Sequence, residues 1–329
     1  LRLGTVAYRG RASFLPGKGR TVQRKIDDLG TYEVDLTNDA VLERGGVYIV
    51  PLLESVKLRR GLFGAANPKS STGRLDIFTR LIADQATEFD RIPEGYNGPL
   101  YVEVSPRTFS IKVRQGSRLV QARFRRGTPT PSAAATQRLH DRVGLLNAPD
   151  GDEIALGTID REVPVSVNLQ GRDGDGLVGY KARTYTDLVD VDRVGGYRAA
   201  DYWEPVYAPN NSLILDPNAF YILVSREEVR VPPDYAAEML PINPLKGEFR
   251  VHYAGFFDPG FGYSEDDSAG SRAVLEVRSF EVPFLLEHGQ TVGQLVYEPL
   301  TRPPDRVYGQ GIGSNYQRQG LKLSKHFYD

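Results

Sequence analysis

One segment in the first half of the chain, residues 69–74, carries two cations and three hydroxyls in the sequence KSSTGR. Lysine, arginine and hydroxyl side chains donate hydrogen bonds to the oxygens of phosphate groups. Gly73, inside the segment, lets backbone amides approach a ligand closely. This composition favours a phosphate-binding loop. A run of Ser, Thr and Gly is also typical of an ordinary solvated turn, and the segment alone leaves both alternatives open.

The second half of the chain supplies acidic residues. Glu276 lies between Leu275 and Val277 in a β-rich run with few other charges. Enclosure among apolar side chains disfavours a carboxylate and raises its pKa toward the range in which it exchanges protons at neutral pH. Glu276 is therefore a candidate for proton exchange, and a structural role is one alternative. Another alternative is that Glu276 lies on the solvated face of an edge strand. The Asp-Pro-Gly run at 258–260 is the second acidic candidate, and its alternative role is a tight turn between strands.

The C-terminal segment 308–320 is rich in Gly, Gln, Asn and Tyr and poor in apolar residues. Such a composition is typical of a disordered terminus. It also suits a segment that closes over bound phosphates with neutral donors, for which Tyr308, Tyr316 and Gln319 are the candidates.

The elements that position these residues are repeated along the chain. Residues 101–124 and 274–297 share one pattern, in which a strand with one glutamate is followed by a second strand, a glycine turn and a third strand. Matching residues are 173 positions apart: Glu103 and Glu276, Gly116 and Gly289, and Gln121 and Gln294. A constant spacing of this kind predicts a tandem duplication.

Short β-rich runs separated by glycine and proline fill most of the chain. This punctuation is typical of antiparallel β-barrels and jelly rolls, and the best helical pattern lies at residues 132–146. The predicted fold is therefore mainly β, with two tandem distorted β-barrel or jelly-roll domains and few short helices. We place the domains at residues 1–146 and 147–329, with the boundary in the polar, turn-forming run 147–153.

The two copies differ where chemistry is expected. The first copy contains the cationic hydroxyl segment, whereas residues 240–247, at the same spacing, read LPINPLKG. Conversely, Asp258 of the second copy corresponds to Pro93 of the first, and only the second copy is followed by the 308–320 tail. The pattern predicts one composite site for the pair, with the phosphate loop from the first copy and an acidic pocket and closing tail from the second.

The bulk composition excludes several classes of function. With 25% charged and 40% hydrophobic residues and a net charge of −1, the chain has no bulk charge that would recruit nucleic acid or a membrane surface. No apolar run approaches the roughly 20 residues that cross a bilayer. The absence of cysteine excludes disulfides, a thiolate nucleophile and cysteine-ligated zinc, and fits a cytoplasmic protein. The four histidines lack metal-ligand spacing, so none is expected to be catalytic.

Together these residues resemble the trimeric dUTPase and dCTP deaminase superfamily, and specifically a two-domain, internally duplicated dCTP deaminase. The resemblance covers nearly the whole chain and rests on four motifs. The family's phosphate loop is matched by Lys69-Ser70-Ser71 and Arg74, and its pyrimidine pocket by Ala254, Asp258-Pro259-Gly260-Phe261 and Leu275-Glu276. Its glycine–glutamine stretch is matched by residues 289–295, and its closing tail by Tyr308, Asn315-Tyr316 and Gln319. Leu1–Gly4 resembles the end of the family's first motif, so we expect a missing N-terminal piece before Leu1. This sequence departs from the family in three ways: Asn315 replaces the usual lysine, residues 262–272 contain an insertion, and the motifs are divided between two fused copies.

The resemblance implies hydrolysis of dCTP to dUTP and ammonia, in pyrimidine deoxynucleotide metabolism, without zinc. It implies that Glu276 is the general base for a water held by Ser70 and Arg74, and that Arg74 stabilises developing negative charge. The residues implied to bind substrate are Lys69, Ser71, Tyr308, Asn315, Tyr316 and Gln319 at the triphosphate, and Ala254 and Asp258 at the base and deoxyribose. Mg²⁺ is expected on the triphosphate oxygens, without a metal site made by the protein.

Partners and alternatives follow from the same resemblance. It implies dCTP as substrate and dTTP as a candidate inhibitor. We expect a cytoplasmic homo-oligomer with no nucleic-acid or membrane partner. The alternatives are a dUTP diphosphatase, a bifunctional dCTP deaminase and dUTPase, and a non-enzymatic duplicated β-barrel binding protein. Glu103, in the equivalent position of the first copy, is the alternative general base.

Overall fold

The computed structural model describes residues 1–30, 32–127, 129–148, 161–171, 176–241, 249–252, 255–264, 269–309 and 320–328. Four residues predicted to bind substrate, Ala254, Asn315, Tyr316 and Gln319, lie outside these ranges. In the part of the chain that is described, no helix has the length and apolar character needed to cross a membrane.

The described residues are mainly in β-strands, which confirms the predicted fold class. The helices are α1 (Val22–Leu29), α2 (Ser70–Gly73), α3 (Ala133–Val143) and α4 (Ala199–Tyr202). The strands are, in chain order, β1 (Val6–Gly10), β2 (Tyr32–Asp35), β3 (Ala40–Leu42), β4 (Val47–Lys57), β5 (Leu62–Pro68), β6 (Ile77–Ala83), β7 (Arg91–Ile92), β8 (Asn97–Pro106), β9 (Ile111–Val113), β10 (Val120–Arg126), β11 (Leu146–Asn147), β12 (Val163–Ser166), β13 (Leu177–Ala182), β14 (Val189–Asp190), β15 (Tyr197–Arg198), β16 (Trp203–Tyr207), β17 (Ser212–Leu215), β18 (Phe220–Val229), β19 (Tyr235–Pro241), β20 (Phe249–His252), β21 (Phe256–Phe257), β22 (Ser271–Ser279), β23 (Phe284–Glu287), β24 (Thr291–Pro299) and β25 (Phe327–Tyr328).

The chain divides into two compact units. Unit 1 comprises Leu1–Thr128, Arg183–Tyr202 and Ser324–Asp329, and unit 2 comprises Pro129–Ala182 and Trp203–Leu323. Unit 2 begins before α3, whereas the boundary predicted from the sequence follows residue 146. The difference arises because Leu139 on α3 is buried in the hydrophobic core of unit 2.

Unit 1 is built from several small sheets. They are a five-stranded sheet with strand order β2-β1-β4-β8-β6, two three-stranded sheets, β10-β5-β7 and β14-β9-β3, and the parallel pair β15-β25. Segment 183–202 belongs to this unit because Val189 and Asp190 pair in parallel with Ile111 and Lys112 of β9.

Helix α1 packs on the five-stranded sheet of unit 1. The Thr21 side chain accepts a hydrogen bond from the backbone N–H of Arg24 at the start of the helix, and Gly30 ends it in the left-handed region at φ 58°. Val22 and Ile26, one turn apart, form its buried face. They join a hydrophobic cluster with side chains of β4, β6 and β8.

Unit 2 contains a sheet with strand order β16-β13-β18-β22-β20, to which β11 adds by pairing with β18. It also contains a four-stranded sheet, β12-β24-β19-β21, and the pair β17-β23. Strand β22 lies between β18 and β20, and its nine residues are all buried. Trp203 is buried as well, with its ring 6.0 Å from that of Phe220.

The two units repeat the same strand pairings at a spacing of 173 residues. Ile49 lies opposite Glu103 in unit 1, and Ile222 lies opposite Glu276 in unit 2. Both of these strand pairs shift register at the equivalent point. The β5–β10 and β19–β24 pairs, and the β3–β9 and β17–β23 pairs, correspond in the same way. This agreement supports our proposal that the chain arose by tandem duplication.

Candidate active site

The predicted phosphate loop forms helix α2, a single turn that follows β5. The Lys69 carbonyl accepts hydrogen bonds from the N–H groups of Thr72 and Gly73 at 2.8 and 3.0 Å, and the Ser70 carbonyl accepts from the Arg74 N–H at 3.1 Å. The Thr72 and Arg74 side chains are each 2% exposed, whereas Ser70 is exposed. The segment is therefore an ordered helical turn of unit 1, and the alternative of a simple solvated turn is excluded.

The lysine that begins this loop stands among other cations. Burial lowers the pKa of Lys69, and the charges of Lys325 and Arg118 lower it further. Like charges held this close repel one another, and a bound anion relieves that repulsion. The surroundings of Lys69 therefore favour the anionic ligand that the sequence predicted for this loop.

Glu276 lies near the middle of β22, inside the sheet of unit 2. The strand register places it opposite Ile222 on β18 and opposite His252 on β20. Its exposed fraction is 6%. The alternative of a glutamate on the solvated face of an edge strand is therefore wrong. A buried carboxyl group is the environment in which a glutamate can serve as a general base at neutral pH.

The turn at residues 258–260 and the start of the tail lie together in unit 2. The Asp258 carbonyl accepts a hydrogen bond from the Phe261 N–H at 3.0 Å, which closes the tight turn predicted as the alternative role of this run. Tyr308 docks on this turn: its N–H donates to the Pro259 carbonyl at 2.8 Å, and its ring lies 5.7 Å from that of Phe261. Two residues predicted for the substrate site, Asp258 and Tyr308, are thus brought to one place.

Comparison with known families accounts for both halves of the chain. The family model for the N-terminal domain of 2'-deoxycytidine 5'-triphosphate deaminase matches residues 1–128, and the model for its C-terminal domain matches residues 132–327. The chain belongs to the dCTP deaminase family. The resemblance stated from the sequence motifs is thereby confirmed.

Individual relatives of this dCTP deaminase family chain agree with that assignment. The crystal structure of 2'-deoxycytidine 5'-triphosphate deaminase from Agrobacterium tumefaciens is 55% identical in sequence, with a TM-score of 0.86 over 93% of this chain and 89% of that chain. A dUMP-forming dCTP deaminase of Halobacterium salinarum is 36% identical over 35% of this chain and 57% of its own length. Another, from Methanobrevibacter smithii, is 31% identical over 47% of this chain and 76% of its own length. The matched part thus spans little more than half of the Halobacterium relative.

The two equivalent glutamates of this dCTP deaminase family chain have different neighbours. Glu103 Oε1 accepts hydrogen bonds from Arg80 Nη2 and Nε at 2.8 and 3.2 Å. The same guanidinium lies over the ring of Phe89, 3.5 Å from its centroid. Arg80 stands opposite Glu103 in the strand register, whereas His252 stands opposite Glu276. A guanidinium thus engages the Glu103 carboxylate in the core of unit 1, where Glu103 is only 1% exposed.

Asp90 lies near this ion pair and gives a prediction about stability. Burial raises the pKa of Asp90 to about 7, although its Oδ1 accepts a hydrogen bond from the Leu81 N–H at 2.7 Å. Between pH about 4 and about 7, the Asp90 carboxyl is protonated in the folded protein and ionised in the unfolded chain. Its contribution to the free energy of unfolding therefore falls as the pH rises through this range. Asp90→Asn keeps an acceptor for Leu81 and suits the left-handed backbone at φ 60°. We expect the variant to exceed the wild type in melting temperature at pH 8 and to approach it at pH 5; an equal difference at both values would contradict protonation of Asp90.

Gly260 gives a prediction about the docking of Tyr308. Its φ is 91°, and a Cβ atom added there would lie 2.8 Å from Val307 Cβ and 3.1 Å from Tyr308 N. We expect Gly260→Ala to displace Tyr308 and to raise the KM for dCTP. Gly289→Ala is the matched control, because Gly289 also has a positive φ, 78°, but nothing lies within 4 Å of the added atom. Both variants lose stability through backbone strain, on the order of 1 kcal/mol; equal KM values would show that Tyr308 does not act on the nucleotide.

The sequence analysis missed several residues beside the predicted phosphate loop. His326 is 2% exposed, and its ring nitrogens lie 2.9 Å from Ser324 Oγ and 2.9 Å from the Val191 carbonyl oxygen. Ser324 Oγ in turn donates a hydrogen bond to the Ser71 carbonyl at 3.0 Å. These contacts tie the last residues of unit 1 to its phosphate loop. They join positions up to 253 residues apart, and no local pattern predicts such a contact.

Proposed function

We propose that the chain is a dCTP deaminase, which hydrolyses the C4–N bond of the cytosine ring and releases ammonia. The observation that carries this proposal is the buried Glu276 on β22, in a chain of the dCTP deaminase family. The predicted phosphate loop, ordered as α2, and the Asp258 turn with Tyr308 docked on it support the same function.

In the proposed mechanism Glu276 takes a proton from a water molecule held by Ser70 and Arg74. The resulting hydroxide adds to C4, and the negative charge that develops is stabilised by Arg74. Glu276 then returns the proton to the leaving nitrogen, the C4–N bond breaks, and the ring becomes a uracil. One dCTP and one water thus give one uracil nucleotide and one ammonia, and Glu276 is regenerated as a carboxylate.

The remaining predicted residues bind the substrate in this proposal. Lys69 and Ser71, with Tyr308 and the tail residues Asn315, Tyr316 and Gln319, hold the triphosphate, and Ala254 and Asp258 contact the base and deoxyribose. Mg²⁺ arrives with the nucleotide, on the triphosphate oxygens. Within the described ranges, no three His, Asp or Glu side chains are placed to hold a metal ion.

A second candidate concerns the product. The names of the Halobacterium and Methanobrevibacter relatives describe dUMP-forming enzymes, whereas a relative from Halorubrum lacusprofundi is named dCTP deaminase without that addition. The first kind of name favours a bifunctional reaction, in which a second water attacks phosphorus and pyrophosphate leaves. The product predicted from the sequence was dUTP, and the two candidates differ in one measurable product.

The deciding experiment follows ammonia and pyrophosphate together, with Mg²⁺ and either dCTP or dUTP. Ammonia from dCTP without pyrophosphate supports the dUTP-forming deaminase, and ammonia with pyrophosphate supports the dUMP-forming reaction. Pyrophosphate from dUTP alone would mean a dUTPase and contradict the proposed role of Glu276. If neither product forms and neither nucleotide raises the melting temperature, the result favours the non-enzymatic alternative, a duplicated β-barrel binding protein. The melting temperature is informative because a nucleotide bound at 100 times its Kd would stabilise the fold by about 2.7 kcal/mol.

Other expectations from the sequence stay predictions. Homo-oligomerisation is tested by light scattering on a sizing column, and inhibition by dTTP is tested in the ammonia assay. Cytoplasmic location requires fractionation of the source cells.

A further inference from the structure

Residues 324–328, which belong to unit 1, are held by a segment from the middle of the sequence. The backbone N–H groups of Gly196 and Tyr197 both donate to the His326 carbonyl, at 2.9 and 3.1 Å. Strand β15 then pairs in parallel with β25. The backbone of segment 183–202 therefore sets the position of these C-terminal residues.

Segment 183–202 is itself anchored on the sheets of unit 1. Strand β14 pairs in parallel with β9. The guanidinium of Arg114 contacts two carboxylates of the segment, those of Asp190 and Asp192, at 2.6 and 2.8 Å, and also that of Asp39, at 2.7 Å. A network of several charges holds a segment more firmly than one exposed ion pair does. The segment is therefore a fixed support for the C-terminal residues.

A line of buried contacts leads from this support to the single helical turn α2. His326 Nε2 lies 2.9 Å from the Val191 carbonyl oxygen, and His326 Nδ1 lies 2.9 Å from Ser324 Oγ. Ser324 Oγ in turn lies 3.0 Å from the Ser71 carbonyl oxygen. His326 and Ser324 are 2% and 1% exposed. The imidazole ring and the serine hydroxyl thus connect segment 183–202 to α2.

The protonation state of His326 determines how these contacts are made. Burial lowers the pKa of His326, so the ring is neutral at neutral pH and carries one proton. A carbonyl oxygen only accepts hydrogen bonds, so this proton lies on Nε2 and is donated to Val191. Nδ1 is then an acceptor, and the Ser324 hydroxyl lies between it and the Ser71 carbonyl oxygen. The ring therefore holds the hydroxyl against α2.

The turn α2 depends on such outside contacts. It has only four residues, and a single helical turn is unstable in isolation, because the cost of nucleation is not offset by further hydrogen bonds. At its start, the Lys69 N–H donates to the Leu119 carbonyl at 2.9 Å. Towards its end, where helix carbonyls lack donors within the helix, the Ser324 hydroxyl reaches Ser71, which is 8% exposed. Both ends of the turn are thus tied to other parts of unit 1.

We propose that His326 and Ser324 are positioning residues for α2. They transmit the fixed position of segment 183–202 to the turn, which carries Ser70 and Arg74, the residues proposed to hold the attacking water. The inference rests on the proposed function where it concerns catalysis. The positioning of α2 by these two side chains is a separate claim and has a measurement of its own.

The test compares two replacements of His326 in the full chain. An asparagine amide lies near the Nδ1 position of a histidine and a glutamine amide near the Nε2 position. His326→Asn therefore keeps a polar group beside Ser324, whereas His326→Gln keeps one beside Val191. Ser324→Ala removes the hydroxyl itself. We expect His326→Gln and Ser324→Ala to lower kcat/KM for dCTP about tenfold, as for one lost hydrogen bond, and His326→Asn to stay within about twofold of the wild type.

Hydrogen–deuterium exchange of backbone amides measures the positioning of α2 without any activity. The N–H of Arg74 donates to the Ser70 carbonyl at 3.1 Å, and that of Asp76 donates to the Gly73 carbonyl at 2.8 Å. We expect these amides to exchange about tenfold faster in His326→Gln and in Ser324→Ala than in the wild type and in His326→Asn. The double variant of His326→Gln with Ser324→Ala should exchange no faster than either single variant, because both changes break the same connection.

The outcomes separate this inference from the proposed function. If exchange changes as expected but kcat/KM does not, or if the wild type fails to deaminate dCTP, the positioning of α2 stands and the catalytic role of the turn fails. Equal exchange of the Arg74 and Asp76 amides in all the folded proteins overturns the inference. Faster exchange confined to segment 183–202 also overturns it, because His326 would then support that segment alone. Melting temperatures show which variants are folded, and similar values for His326→Asn and His326→Gln exclude global unfolding as the cause of their difference.

Discussion

Glu276→Gln reduces the turnover of dCTP by about 10²- to 10⁴-fold, the usual contribution of a general base. Glutamine has nearly the shape of glutamate, but its amide cannot accept a proton from water at neutral pH. Since the residue lies inside β22 and is 6% exposed, a substitution of equal size leaves the core packing nearly intact. Nucleotide binding should therefore survive. The measurement is kcat for ammonia release, together with the Kd of dCTP for the inactive variant.

The chain supplies its own matched control for this prediction. Glu103→Gln makes the same change at the equivalent position of unit 1, opposite Ile49 where Glu276 lies opposite Ile222. It breaks the ion pair with Arg80, so we expect a loss of stability on the order of 3 kcal/mol but normal kcat for the folded enzyme. If Glu103→Gln removes activity and Glu276→Gln does not, the roles of the two copies are reversed.

Much of the fold follows from the spacing of residues in the sequence. The 173-residue offset was read from three pairs of residues, and the strand pairings of the two units correspond at the same offset. Local patterns also predicted helix α3 and the burial of Glu276 between Leu275 and Val277. These features depend on neighbours in sequence, on turn residues and on strand alternation, which a single sequence displays directly.

The remainder depends on contacts between distant residues. Segment 183–202 joins unit 1 through a parallel pairing of Val189 with Ile111, for which strand periodicity gives no signal. The Arg80–Glu103 ion pair likewise requires the register of β6 against β8. Lys325 and His326 reach the phosphate loop only through the folded backbone. Such contacts depend on the register of whole strands, and no single residue type marks them.

Arg74→Lys gives the second large expected effect, a fall in kcat of about 10²- to 10³-fold with little change in the KM for dCTP. Lysine keeps the positive charge, but it replaces a planar fork of donors by one flexible ammonium, which cannot hold a water and the developing charge in the same geometry. The Arg74 side chain is 2% exposed, so the guanidinium is shielded from solvent, and its electrostatic effect is larger than that of a surface arginine. The measurement is kcat and KM by ammonia release, with Arg107→Lys, at an exposed position of the same unit, as the control.

Burial also gives Arg74 a structural alternative: a lower melting temperature with unchanged kcat for the folded fraction would contradict a catalytic role. A lower kcat with an unchanged KM for dCTP would support the role, because substrate binding would then be intact and only the reacting end of the substrate affected.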